Sequence, residues 1–91
     1  MFLTIAVHHV VPEHRAAFLD HMRRVIRATT GAEGLVDFDC YEADGGDLLG
    51  VARWTDRAAF EAALPRIGSL RDRRDPEWTQ AEDELITATR V

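Results

Sequence analysis

Apolar positions open the chain as a nearly continuous run, Phe2 to Val11, rich in Ile and Val. Such a run predicts a strand buried on both faces. Pro12-Glu13 then predicts a helix start, with Pro in the first turn and a carboxylate near the positive end of the dipole. From there Ala17, Phe18, Met22, Val25 and Ile26 recur at helical spacing. His14, Arg15, Asp20, Arg23, Arg24 and Arg27 fill most of the remainder. Thr29-Thr30-Gly31 predicts the helix end, with Gly31 taking the left-handed cap.

Leu35 to Glu42 alternates, placing Val36, Phe38 and Cys40 on one face and Asp37, Asp39 and Tyr41 on the other. Period two predicts a strand. Asp44-Gly45-Gly46 is a tight-turn signal, and Leu48 to Trp54 returns as the partner strand. Asp56 caps a second helix through Ala58, Ala59, Phe60, Ala63 and Leu64, which Pro65 is expected to interrupt. Arg66 to Asp75 is charged, with Ile67 and Leu70 as apolar anchors. Asp75-Pro76-Glu77 predicts a short helical turn carrying Trp78, and Leu85 to Val91 a last strand.

The order β-α-β-β-α-β predicts an α+β fold, the ferredoxin-like split βαβ, with one antiparallel sheet and two main helices on one face. The other sheet face needs cover. Because the first strand is apolar on both sides, a homodimer packed sheet to sheet is the simplest source of it.

Length sharpens that expectation. Residues 1–91 have room for a single domain, and one of this size buries only about 60–65% of its unfolded surface. Hydrophobic residues at 46% and charged ones at 30% are ordinary for a globular chain. Sixteen carboxylates against eleven cationic side chains leave a net charge of −5, which disfavours nucleic acid as a partner. All eleven cations are Arg, and Lys and Asn are both absent, a composition consistent with a GC-rich genome. The lone Cys40 excludes an internal disulfide and a multi-Cys metal site and fits a reducing cytoplasm. No apolar run reaches the roughly 18–20 residues that span a bilayer. Met1-Phe2-Leu3-Thr4 has no basic stretch ahead of its apolar run, so no signal peptide is expected. Together these predict a soluble cytoplasmic protein without membrane contact.

Three local patterns point to one family. They are the β-branched opening strand leading into an amphipathic helix, the Ala32-Glu33-Gly34-Leu35 turn into a strand, and Val51-Ala52-Arg53-Trp54-Thr55-Asp56-Arg57-Ala58-Ala59-Phe60, where a strand-ending Trp meets a helix start. The chain resembles the antibiotic biosynthesis monooxygenase (ABM) family of the dimeric α/β-barrel superfamily. The resemblance implies a homodimer with sheets packed face to face into a barrel, and a pocket between each sheet and its helices. It also implies a cofactor-independent monooxygenase acting on an aromatic polyketide, phenol or hydroquinone, with Trp54 facing the pocket. The chain departs from that pattern at Ala52 and Ala63, where relatives often carry Glu and His, and in lacking a pocket Asn. The haem-degrading branch is therefore disfavoured. A non-catalytic binding or interaction module of the same fold, or a polyketide cyclase or isomerase, stays open beside the oxygenase.

The four His residues all lie early, at His8, His9, His14 and His21. His8 and His9 are neighbours on a strand and point to opposite faces, so they cannot chelate one ion. His14 and His21 are seven residues apart, roughly 10 Å along a helix axis, which also excludes a shared ion. No metal and no cofactor is expected. A pocket-facing His can act as a general base toward a phenolic or activated C–H proton, and His8 is the first candidate with His9 as its alternate. His14 and His21 are expected on the helix surface. Trp54 offers a flat wall for a small hydrophobic aromatic ligand and an N–H donor, or else a core residue. Tyr41 offers a hydroxyl to a polyketide, although its face points to the interface or solvent. Trp78 offers a lid or a structural plug. Arg71-Asp72-Arg73-Arg74-Asp75 is expected to be solvated, or to clamp an acidic substrate group. Arg53 is expected to pair with Asp37 or Asp39 across the sheet.

Overall fold

The computed structural model describes residues 1–91. Strand β1 spans Phe2–His8, helix α1 Arg15–Thr29, β2 Leu35–Glu42, β3 Leu48–Trp54, α2 Arg57–Arg71 and β4 Glu84–Thr89. Short 3-10 turns at Pro12–His14 and Pro76–Trp78 precede α1 and β4. The sheet order is β2-β3-β1-β4 with every neighbouring pair antiparallel, the ferredoxin-like α+β arrangement.

Register determines what the helices cover. The pairings Phe2↔Trp54, Thr4↔Ala52, Ala6↔Gly50 and His8↔Leu48 put these side chains on the helix face in successive rows. Leu3, Ile5, Val7, Leu49, Val51 and Ile86 fall on the opposite face. That face is bare within the chain, and Ile86 is exposed there. It carries the unmet need for cover that a doubly apolar first strand predicts. At its rim Arg53 pairs with Asp37, as the cross-strand spacing predicts.

Two apolar clusters hold the layers together. Phe2, Ala52, Trp54 and Phe60 form one, with Leu35, Phe38, Ala63 and Ile67 against it. Val10, Phe18, Met22 and Leu48 form the other, flanked by Leu19, Cys40 and Trp78. Full burial of side chains such as Phe2 and Phe18 contributes about 1.5–3 kcal/mol each.

Gly34 joins the β2 start to α2. Its φ of +81° is left-handed, and a Cβ there would lie 2.4 Å from the Ala59 Cβ and 2.8 Å from Thr55 Oγ1. The Gly34 carbonyl also accepts from Thr55 N at 2.8 Å. Only glycine serves both the turn and the close approach. Gly31, just past α1, is left-handed as expected, with φ +86°.

Four expectations need correction. The Pro12 signal opens a 3-10 turn, and α-helix begins only at Arg15. Val36 does not share a face cleanly with Phe38, because the β2–β3 register shifts between Leu35 and Asp37. Leu35 packs on the core in its place, while Val36 is 46% exposed. Pro65 does not interrupt α2, which runs on to Arg71. Pro65 and Glu61 both lie on the exposed side, so the Glu61 carbonyl freed by the missing N–H reaches water, while Ile67 still packs on the core. Asp56 caps this helix as expected, accepting from Ala59 N at 2.9 Å. The last strand begins at Glu84 and ends at Thr89, short of Val91.

Candidate functional site

Between the two apolar clusters lies a cavity of about 180 Å³. Its cause is the size of the side chains on the sheet. Ala6 pairs with Gly50 and Thr4 with Ala52, so the central rows of the helix face carry almost no bulk. Met22, Val25 and Ile26 of α1 and Leu64 and Ile67 of α2 form the roof, with Phe38, Trp54 and Phe60 at one end. The mouth lies toward the β4 edge, where Leu64 and Leu85 are both exposed.

The other end is polar. There His8, His21, Arg71, Arg74, Asp83 and Glu84 meet. His8 Nδ1 lies 3.0 Å from Asp83 Oδ1, while Asp83 Oδ2 lies 2.8 Å from Arg74 and 3.1 Å from Arg71. No N–H is well aligned on either oxygen, so proximity of charge holds the carboxylate in place. The Asp83 side chain is only 6% exposed. Burial pushes its carboxyl up, but the adjacent His8 and Arg74 prevail and bring it down to about 2. The Arg74 guanidinium sits 5.5 Å above the centre of the buried Phe18 ring, and the His8 ring packs on the same Phe18 at 4.9 Å. His21 is pushed below its usual range by burial, reinforced by the charges of Arg74 and Arg24. It is therefore neutral at pH 7.

This arrangement sets the chemistry available to His8. Two groups compete for Nδ1: Asp83, only an acceptor, at 3.0 Å, and Arg74, only a donor, at 3.5 Å; with its proton toward Asp83 the neutral ring leaves the Nε2 lone pair free. His8 thus lies at the cavity with its ring held between Asp83 and Arg74.

The other candidates fall in different places. His9 turns away from the cavity, with Nδ1 3.1 Å from Asp47 and Nε2 2.6 Å from Glu84. Hydrogen bonds to Glu84 and then Asp47 raise its pKa. Trp54 is fully buried, and its indole N–H donates to Thr4 Oγ1 at 3.1 Å. It is core and cavity wall at once, but its N–H is already engaged within the protein. Tyr41 is 56% exposed on the bare sheet face and does not reach the cavity. Trp78 is not among the residues lining the cavity. It plugs the space behind α1, with its ring centre 6.3 Å from Phe18 and 5.9 Å from His21.

Sequence reasoning misplaced His21, left Arg74 between two readings and missed Asp83. His21 is buried, contrary to its expected surface position, because the inward face of α1 runs Phe18, His21, Met22, Val25 and Thr29. Its i+3 spacing from Phe18 was the available signal. Arg74, in the run read as solvated or as a clamp for an acidic group, is largely enclosed, with 14% of its side chain exposed. Asp83 lies outside any periodic segment, and only the folded chain brings it to His8.

Fold and cavity together define a ferredoxin-like protein of small-molecule-binding type. A family model described as antibiotic biosynthesis monooxygenase matches residues 1–65, and the chain belongs to that family. No curated protein matches it. Among solved structures it resembles Rv0793 from Mycobacterium tuberculosis, at 22% identity and a TM-score of 0.83 over 99% of this chain and 94% of that one. A Nitrosomonas europaea protein that carries the same family name gives 17% identity and a TM-score of 0.87, covering 100% and 99% of the two chains. A point mutant of MhuD, solved with two manganese protoporphyrin IX molecules per active site, gives 17% and 0.82 over 100% and 95%. At these identities the likeness shows the fold. No helix is long and apolar enough to cross a membrane.

Proposed function

We propose that this protein is a cofactor-independent oxygenase of a small planar arene, a phenol or hydroquinone, working as a cytoplasmic homodimer. The observation that carries the reading is the apolar cavity between sheet and helices with His8 at its polar end. An apolar cavity of about 150 Å³ accommodates benzene, so a volume of about 180 Å³ suits one or two fused rings. In the tautomer whose Nδ1–H faces Asp83, His8 Nε2 takes the phenolic proton, and the electron-rich phenolate then reduces O2 directly. One oxygen atom enters the ring as the new quinone oxygen, and the other leaves as water with the two hydrogens lost by the substrate. The protein supplies a base, an oriented apolar slot with Trp54 as its end wall, and exclusion of bulk water. The homodimer is supported by the apolar sheet face around Ile5 and Val51, which no element of the chain covers.

Oxygen uptake with a panel of anthrones and hydroquinones tests the reading. Turnover that falls at least 100-fold in His8→Ala supports it, and no uptake with any arene overturns it. A second reading is a binding module that kept the fold without chemistry. Ala52 and Ala63 favour it, since Ala52 gives the cavity lining no polar group and Ala63 only packs on the Trp54 cluster. That module would bind the same arenes with equal affinity in wild type and His8→Ala. A tetrapyrrole exceeds a cavity sized for two rings, so added haem is expected to show no Soret shift.

A further inference from the structure

We propose that the cavity holds its arene as an anion, with an ionised oxygen against Arg74 and the rings over the Ala6–Gly50 floor. This rests on the proposed reading of the cavity as an arene site and adds the charge state of the ligand and the residue that selects it.

Among the residues lining the cavity the charges at the polar end do not balance, whereas Asp72 and Glu82 lie by the same arginines in the adjoining surface hollow. Arg71 and Arg74 bring two positive charges to one carboxylate, that of Asp83. Glu84 does not make up the difference, because its carboxylate is turned to His9, which Asp47 also holds. His21 is neutral there, since burial and the Arg74 charge both oppose its protonation. The cavity lining thus carries one positive charge in excess; Arg71 is half-exposed and screened by water, while Arg74 is enclosed against Phe18, where screening is weaker.

Arg74 is the group best placed to use it. Asp83 occupies one of its terminal nitrogens and His8 Nδ1 lies 3.5 Å from the other. Its side chain is largely enclosed and stacked on Phe18, so it loses little further entropy in staying in position. A neutral arene would displace water from this guanidinium and return nothing, whereas a phenolate or aromatic carboxylate returns a charge-assisted hydrogen bond. For a phenol the two functions join. His8 Nε2 accepts the proton, and the cation beside it stabilises the oxygen anion left behind.

Binding measured without oxygen tests this independently of turnover. Naphthalene-2-carboxylate and naphthalene-2-carboxamide have nearly the same shape and differ in charge. The carboxylate is expected to bind about tenfold more tightly or better at low salt. Asp83→Asn, which removes the neutralising charge, is expected to widen that ratio, and Arg74→Gln to bring it close to one. Arg71→Gln, at a half-exposed position, is expected to narrow it less. In a second arm, absorbance titration of bound 4-nitrophenol is expected to give a pKa below that of the free phenol, reporting a phenolate source rather than a carboxylate. Equal affinity for the naphthalene pair in the wild-type protein, or no binding of either, overturns the proposal even if Arg74→Gln fails to fold. So does a bound nitrophenol pKa at or above the free value. A charge preference without oxygen uptake sustains the anion site and defeats the oxygenase, and the reverse pair of results does the opposite.

Discussion

His8 Nδ1 stands 3.0 Å from Asp83 Oδ1, which links the end of the first strand to the residue just before the last. The Asp83 carboxyl titrates at about 2 in the folded chain against an ordinary 3.8, so its ionised form favours the folded state. The stability it contributes is fully present above pH 3.8 and is lost as pH falls toward 2. Urea midpoints followed from pH 5 to pH 2 are expected to fall across that window, and to fall less in Asp83→Asn. Parallel curves for the two proteins would remove Asp83 from the account.

His9 gives the opposite slope. Its pKa is raised above 6.5 by Glu84 and Asp47, so the bridge between the β2–β3 hairpin and β4 is strongest when the imidazole is charged. That contribution is complete below pH 6.5 and disappears as pH rises through the higher folded value. Stability measured from pH 7 to pH 9 is expected to decline, and to decline less in His9→Gln. An NMR titration of the His9 ring giving a value at or below 6.5 would contradict it.

Gly34→Ala is expected to destabilise the protein by about 2–4 kcal/mol, the sum of a left-handed backbone penalty and overpacking. The added methyl would lie 2.4 Å from the Ala59 Cβ, and neither the β2 turn nor the α2 start can yield without breaking the Thr55–Gly34 hydrogen bond. Equilibrium unfolding checks it, and a loss below about 0.5 kcal/mol, within the range of an ordinary surface change, would refute it.

Gly50→Ala should have the reverse profile. Its Cβ would land 3.5 Å from Phe38, 3.8 Å from Met22 and 3.9 Å from Ala6, which is ordinary contact. Removing a mid-strand glycine stabilises by about 0.5–1 kcal/mol, while the methyl takes space from the cavity floor. A small rise in Tm together with weaker arene binding is expected. Unchanged affinity would place the ligand elsewhere.

Ile5→Glu puts a charge at the centre of the bare sheet face, between Val51 and Ile86. Light scattering is expected to find the variant monomeric at concentrations where the wild-type chain is dimeric. A monomeric wild-type protein would refute the assembly.

The patterned parts of the chain were legible in its sequence. Period two located β2, the Asp44-Gly45-Gly46 turn placed β3 as its partner, period 3.6 located α1, and the turn and cap residues marked most of the boundaries. Misreadings came where one local rule met tertiary context. The penalty at Pro65 is smaller on an exposed helix side than the rule assumes, and a bulge at Val36 breaks an alternation that looks regular in one dimension. The candidate site was half legible. His8 and Trp54 lie on elements whose facing follows from parity. Arg74 and Asp83 lie in irregular chain after α2, where no period assigns a direction, and their meeting with His8 depends on the whole fold.

The row of small residues beneath the cavity also bears on how such a protein can change. Packing on either side of the row secures the chain, while Ala6, Gly50 and Ala52 set the depth of the hollow. Exchanging a methyl or two at these floor positions can re-cut the chamber for a different molecule while the clamps at both ends remain intact. Selectivity could then drift over generations without passing through an unfolded ancestor.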